Sequence, residues 1–333
     1  MDQISHIDDM ATVRVLASDE RLRLLRLLMR CPATLTQLGH AVDHHPAWVR
    51  HHLLSLEQAG LVVLQETRPT KGYVEKFYRA TARAYAVNFM VLPEPGERGL
   101  LVMLGSDDLA LDLLARELRS DPDAPDVVTI AMGSLEGLIA LRQGVGQVAG
   151  CHLLDPGTGD FNIAYARALF PGRPLVLVTL AHRQQGLIVA PGNPLALGTV
   201  ADVAASGARI VNRNAGSGTR VWLDRLLADA GVAAASIPGY EVEVTTHGQA
   251  ALAVAEGQAD VALGILAAAR ARDLDFVPLL EERYDLVTPR EVYESELLAP
   301  LLAKLREGEF RQAIDGIGGY VTRETGSVAS LAV

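Results

Sequence analysis

Apolar residues in the first sixty positions recur at helical spacing. Leu22, Leu24, Leu25, Leu27 and Leu28, with arginines between them, predict a helix over residues 11–30. Ser18 followed by Asp19 and Glu20 has the chemistry of an N-cap with an acidic first turn, and Cys31-Pro32 closes the segment. A short helix is expected over residues 34–41, then a turn at Asp43-His44-His45-Pro46, then a helix over 46–59 with Pro46 in its first turn and Gly60 as its stop. Leu53, Leu56 and Leu61 give that third helix an apolar face, while Trp48, Arg50, His51, Ser55 and Gln58 fall on the opposite one. The run LVVLQETRPTKGYVEKFYRAT then predicts strands at 61–66 and 73–79, joined by a turn containing Pro69 and Gly72.

The texture changes after residues 92–99, LPEPGERG, whose prolines and glycines mark a boundary. Strand-like apolar runs at 100–104, 127–132, 175–181, 186–190, 208–212, 241–246, 260–265 and 276–280 alternate with helical segments. Such runs predict parallel strands buried on both faces, an open twisted α/β sheet. The expected division is a domain at 1–92 and a second at 98–333.

Helix, short helix, turn, helix and hairpin is the order of a winged helix-turn-helix. The major groove admits one helix, which the preceding helix braces. The candidate DNA contacts are His45, Trp48, Arg50, His51 and Ser55 on the third helix, with Arg68 and Lys71 on the hairpin placed to reach phosphates. Charge agrees with this in a local sense only. The net charge is −10, but residues 1–95 hold 11 basic and 10 acidic side chains, and residues 45–83 hold six basic against three acidic. A local positive stretch suffices to neutralise phosphates; a solvated helix face with its counterions gives the same count. The spacing of His44 and His51, and of His45 and His52, fits either a metal site or groove-facing surface residues, and the second reading is preferred, with no metal expected.

In the second part, four strands end in a small polar turn that opens a helix. These turns are Gly105-Ser106-Asp107-Asp108, Gly133-Ser134-Leu135-Glu136-Gly137, Arg213-Asn214-Ala215-Gly216-Ser217-Gly218-Thr219-Arg220, and Thr246-His247-Gly248. Ligands of open α/β sheets bind at the carboxyl ends of strands, and helix N-termini favour anions. The candidate ligand residues are therefore Ser106, Asp107, Ser134, Asn214, Ser217, Gly218, Thr219, Arg220, Thr246 and His247. Arg183, in Arg183-Gln184-Gln185-Gly186, is read as an anion ligand or a surface ion pair. His152 and Asp155 have either a catalytic or a loop-capping reading, and Asn162 and Tyr165 either line the cleft or, for Tyr165, belong to the core. No nucleophile–base–acid spacing is diagnostic, so no enzyme and no cofactor is expected. The glycine turns are neither a Walker A loop nor a dinucleotide fingerprint.

Three further features bound the reading. No apolar run reaches the 18 or so residues that span a bilayer, and MDQISHIDDMATVRVL lacks the shape of a signal peptide. The two cysteines, Cys31 and Cys151, form neither a disulfide framework nor a metal pair. A cytoplasmic setting fits these features.

The stretches VLASDERLRLLRLLMR, TLTQLGHAVDHHPAWVRHHLLSLEQAGLV and KGYVEKFYRAT resemble the ArsR-like winged helix-turn-helix family over about residues 11–85. That resemblance implies a homodimer on palindromic operator DNA. The Cys-x-Cys pair of the metal-sensing branch is missing. Residues 98–325, with GSDDLALDLLA, GSLEGLIAL, AGCHLLDPGTGDFN, RQQGLIVAPGNP, VNRNAGSGTRVWLDRLL, TTHGQAALAVAEGQADVALGI and DFVPLLEERYDLV, resemble periplasmic-binding-protein-like domains of the kind linked to molybdate and molybdopterin proteins. This implies a two-lobed (type II) α/β domain, with lobe two at about 186–262 and a return through Gly264-Ile265. It also implies a molybdate- or tungstate-like oxyanion as ligand. The expectation is a ligand-responsive transcription regulator; the alternative is an enzyme or scaffold of molybdenum-cofactor biosynthesis.

Overall fold

The computed structural model describes residues 2–7, 9–70, 72–87 and 90–331. The chain forms two compact units, residues 1–93 and 94–333.

The first unit runs β1 (Asp2–Ile7), α1 (Met10–Leu16), α2 (Asp19–Arg30), α3 (Leu35–Val42), α4 (Pro46–Gln58), β2 (Val62–Thr70), β3 (Tyr73–Ala80) and β4 (Ala82–Val87). The helix expected over 11–30 is two helices. The Ser18 hydroxyl accepts from the Arg21 amide and starts α2 afresh, so the capping chemistry also breaks the preceding helix. Thr34 and Gln37 close a capping box at α3, and Asp43 ends it in the left-handed region (φ 59°). β2 and β3 form an antiparallel hairpin, longer than expected. The parallel pairing of β1 with β4 was not foreseen. Leu24, Leu28, Leu38, Val49, Leu53 and Leu56, at most 2% exposed, form the core. Each such side chain contributes roughly 1.5–3 kcal/mol of burial.

The second unit runs β5 (Leu100–Gly105), α5 (Leu109–Ser120), β6 (Asp126–Ala131), α6 (Ser134–Arg142), β7 (Val148–Cys151), α7 (Ile163–Leu169), β8 (Leu175–Val189), α8 (Val200–Ser206), β9 (Ile210–Arg213), α9 (Gly218–Asp229), β10 (Glu243–Val244), α10 (His247–Ala255), β11 (Val261–Ile265), α11 (Leu266–Arg270), β12 (Asp275–Pro289), α12 (Arg290–Tyr293), α13 (Ala299–Lys304), α14 (Gly308–Ile317), β13 (Tyr320–Val321) and β14 (Val328–Leu331). The sheet order is β10-β9-β11-β8-β12-β7-β5-β6, with β13 and β14 also on β8.

The expected all-parallel sheet is corrected here. β5, β6 and β7 are parallel at one end, and β9, β10 and β11 at the other, but β8 and β12 run antiparallel through both lobes. The expected strands 175–181 and 186–190 are one strand, and 276–280 is the start of a 15-residue strand. The return to lobe one is made by β12, not at Gly264-Ile265, because its first half pairs β8 and its second half also pairs β7. A polar stretch, His182-Arg183-Gln184-Gln185, interrupts the apolar sequence of β8 although Arg183 and Gln185 are sealed from solvent.

Candidate functional site

The four strand-end turns converge within the second unit. The backbone amide of His247, at the start of α10, donates to Asp107 Oδ2 at 3.1 Å. The Leu135 amide faces the Gly216 carbonyl at 3.4 Å. Gly218 abuts the His152 ring so closely that a methyl group there would sit 2.6 Å from it. Ser217 caps α9 through the Arg220 amide, and Thr246 caps α10 through Gln249. Ser134 Oγ accepts from the His152 amide at 3.3 Å. Thr219 Oγ1 accepts from Gln185 Nε2 at 2.6 Å.

Charges lie inside this convergence. Arg183 is fully buried; its Nε donates to Glu282 at 2.7 Å and its Nη1 to Asp108, while its plane lies 4.9 Å from the Tyr284 ring. Thus Arg183 forms a buried rather than a surface ion pair, and only its Nη2 is unpartnered. Arg213 is 2% exposed; its Nη2 donates to the Thr245 carbonyl, but Nε and Nη1 are buried without a partner. Burial lowers its pKa to about 10. Both ring nitrogens of His247 and Gln185 Oε1 are likewise buried and unpartnered. An orphaned buried polar group costs about 1–3 kcal/mol, more on a cation, so the unused donors of Arg213 and Arg183 call for an acceptor from outside, whereas Gln185 Oε1 and Glu136 Oε2, also buried and unpartnered, are themselves acceptors.

Ser106 Oγ lies 2.9 Å from His152 Nε2, and His152 Nδ1 lies 2.9 Å from Glu282 Oε2. Sequence spacing did not disclose this hydroxyl–imidazole–carboxylate order, because its members are 46 and 130 positions apart. Burial lowers the pKa of His152 against the opposing pull of Glu282, and lowers that of His247 further. Asp107 is raised, by burial first, despite the His247 amide and Arg213. A cavity of about 80 Å³ adjoins the turn, lined in part by Ser106, Asp107, Asp108 and Asp112. Its three carboxylates suit water or a donor group, not an anion.

Two candidates are redirected. Arg220 spends its guanidinium on Asp224 at 3.1 Å and Glu243 at 2.9 Å and stacks on Tyr240, so it does not supply a free cation. Asn214 is half-exposed and donates to the Ala215 carbonyl. Asp155 caps its own loop through Gly157 and Thr158. Asn162 is buried, donating to Asp285 and to the Cys151 carbonyl, and Tyr165 bonds the Leu154 carbonyl. Arg213, Gln185 and Glu282 were missed. For Arg213 the signal available was a charged residue closing an apolar strand; Gln185 and Glu282 lie inside β8 and β12, where the sequence shows only a polar break.

In the first unit, Arg50 and His51 are exposed on α4, and His45 caps that helix through the Ala47 amide. Trp48 is not a free reading residue: it is half-buried against the core and stacked on His44 at 3.9 Å. Ser55 is half-buried. Arg68 is exposed, pairing Glu66 and lying over Phe77. Lys71 lies outside the described residues. Among the described residues no group of three metal-capable side chains is assembled, and no helix is long and apolar enough to cross a membrane.

Residues 115–306 match the profile of the PBP superfamily domain. The chain belongs to that superfamily. Residues 18–63 match the bacterial regulatory protein, arsR family, so this PBP superfamily member carries an arsR-type helix-turn-helix at its front. It is 34% identical over 227 residues to the uncharacterized protein YvgK of Bacillus subtilis (strain 168), covering 68% of this chain and 73% of that one. It is also 32% identical over 111 residues to an uncharacterized protein in the ferredoxin 2Fe-2S gene 5' region of Clostridium pasteurianum, covering 33% of this chain and 98% of that one. Among solved structures, one from Clostridium perfringens, described as a phosphate ABC transporter substrate-binding protein with bound phosphate, shares the fold of the second unit. It aligns with a TM-score of 0.51 at 12% identity, over 67% of this chain and 99% of that one.

Proposed function

We propose that the chain is a cytoplasmic transcription regulator that binds operator DNA through its helix-turn-helix and a small oxyanion between the lobes of its PBP superfamily domain. The carrying observation is the set of buried, unpartnered donors on Arg213 and Arg183 among strand-end turns. The anion seat consists of Arg213, Arg183 Nη2, Ser106, Ser134, His247 and the start of α9 at Ser217–Thr219. Molybdate and tungstate are the first candidates. Arg50, His51 and Arg68 are the DNA contacts, and a surface ion pair such as Arg68–Glu66 is weak enough to yield to phosphate. A homodimer fits the arsR-family match and an apolar groove of the first unit lined by Val13, Leu16, Leu25, Met29 and Tyr85.

The test is a thermal-shift screen of oxyanions on the full chain. An anion at 100 times its Kd adds about 2.7 kcal/mol of stability, a shift easily read. A screen in which molybdate, tungstate, phosphate and sulfate all leave Tm unchanged contradicts the reading.

A further inference from the structure

The Ser106–His152–Glu282 chain bears directly on how an anion is received. Glu282 is held ionised by Arg183 and accepts at Oε2. His152 must therefore present Nδ1–H to it, since a bare Nδ1 would set lone pair against carboxylate. Burial keeps the ring neutral, so its Nε2 carries no proton and accepts from Ser106. Ser106 has one proton and spends it on His152. Beyond that bond its oxygen offers lone pairs only, which repel an anion.

We propose that anion capture in this cleft takes up one proton on His152, switching Ser106 from a donor to the imidazole into a donor to the guest. With His152 protonated, Nδ1–H still donates to Glu282, Nε2–H donates to Ser106 Oγ, and the serine O–H is released for the anion. One proton from solvent enters, no bond to carbon or phosphorus forms or breaks, and every donor has an acceptor. The anion supplies the charge that favours the imidazolium. Glu282 supports it from β12, and Arg183 on β8, Arg213 on β9 and His247 on α10 oppose it. Tyr284 stacks on the ring at 5.8 Å, and Gly218 of α9 closes the other approach. His152 and Glu282 are thus positioning residues for Ser106. This rests on the cleft reading above and adds its regulation: guest affinity rises as pH falls, by up to about tenfold per pH unit between the pKa values of free and occupied His152.

Calorimetric titration of the full chain with tungstate, which stays fully ionised near neutrality, is run at pH 7.5 in buffers of different ionisation enthalpy. The expected result is uptake of about one proton per tungstate bound. Ser106→Ala should lower affinity on the order of tenfold or more and abolish the uptake. His152→Gln should abolish the uptake and flatten the pH profile. Tungstate binding without proton exchange overturns the inference and leaves the regulator reading standing. If tungstate does not bind, the inference is overturned, and the regulator reading falls only if molybdate, phosphate and sulfate also fail to bind. Should both variants fail to fold, the ring nitrogens of His152 in the wild-type free protein decide: an Nδ1–H, Nε2-bare tautomer supports the inference and the opposite tautomer overturns it.

Discussion

Arg50 stands on the exposed face of α4, whereas Arg213 is sealed inside the second unit with two of its donors unused. Both are cations suited to oxygen anions, yet they solve opposite problems. A solvated arginine costs nothing to keep waiting and gains modestly when phosphate arrives, with the gain screened by salt. A buried arginine without full pairing is held at a continuous cost and regains it when a guest supplies the missing acceptors. The first arrangement suits reversible, salt-dependent attachment to a large polyanion. The second suits selective capture of one small anion. Arg183 marks the difference within the second unit: it is as buried as Arg213 but pairs with Asp108 and Glu282, so it is mostly architecture.

Substitution can separate these roles. The largest effect is expected for Arg183→Met, which strands Asp108 and Glu282 as buried carboxylates. Unfolding by denaturant should show a loss of about 3–5 kcal/mol; a loss under 1 kcal/mol would mean the triad is not structural. Arg213→Met should instead leave ligand-free stability unchanged or raised, because it removes a poorly paired buried cation. The same change should weaken oxyanion binding at least about a hundredfold, as two charge-assisted hydrogen bonds are lost. Destabilisation comparable to Arg183→Met would erase the proposed contrast.

The sequence disclosed the parts of this contrast unevenly. Helical spacing, Ser18 and Pro46 made the first unit legible because each signal is local. The polar turns after β5, β6 and β9 were legible for the same reason. What periodicity could not show was that β8 and β12 are single long strands, since HRQQG looks like a loop when its burial is unknown. Nor could it show that the buried Arg213 keeps two nitrogens unused while the buried Glu282 pairs with Arg183 and His152. Arg220 is an expected anion ligand because it lies in the glycine turn. Its first helical turn instead faces Asp224, four residues on, and Glu243 of β10.

Acid should sharpen the difference between the units by a smaller amount. His152 and His247 are both held below the ordinary histidine range by burial. As pH falls below about 6.5, the unfolded chain takes up protons at these positions before the folded chain does. Protons bound in excess by the unfolded state make stability fall with falling pH, by up to about 1.4 kcal/mol per pH unit for each group. Denaturant unfolding of the second unit from pH 7 to pH 5 should show this slope, and His247→Gln should reduce it. An unchanged slope would mean that His247 is not neutral in the fold. The smallest effect is expected for Arg50→Ala. Duplex binding should weaken about uniformly across sequences, with the salt slope reduced by about one and no change in oxyanion affinity. Unaltered salt dependence would remove Arg50 from the phosphate contacts.

The central claim is that capture of an anion by the second unit changes DNA binding by the first. Fluorescence anisotropy of the full chain on duplex from its own upstream region, at fixed salt with and without a saturating oxyanion from the screen, tests it most directly. The account predicts tighter binding to that duplex than to random sequence and a shift of at least about fivefold on adding the anion, lost in Arg213→Met. Equal affinity for the two duplexes, or an affinity indifferent to the anion, would contradict it.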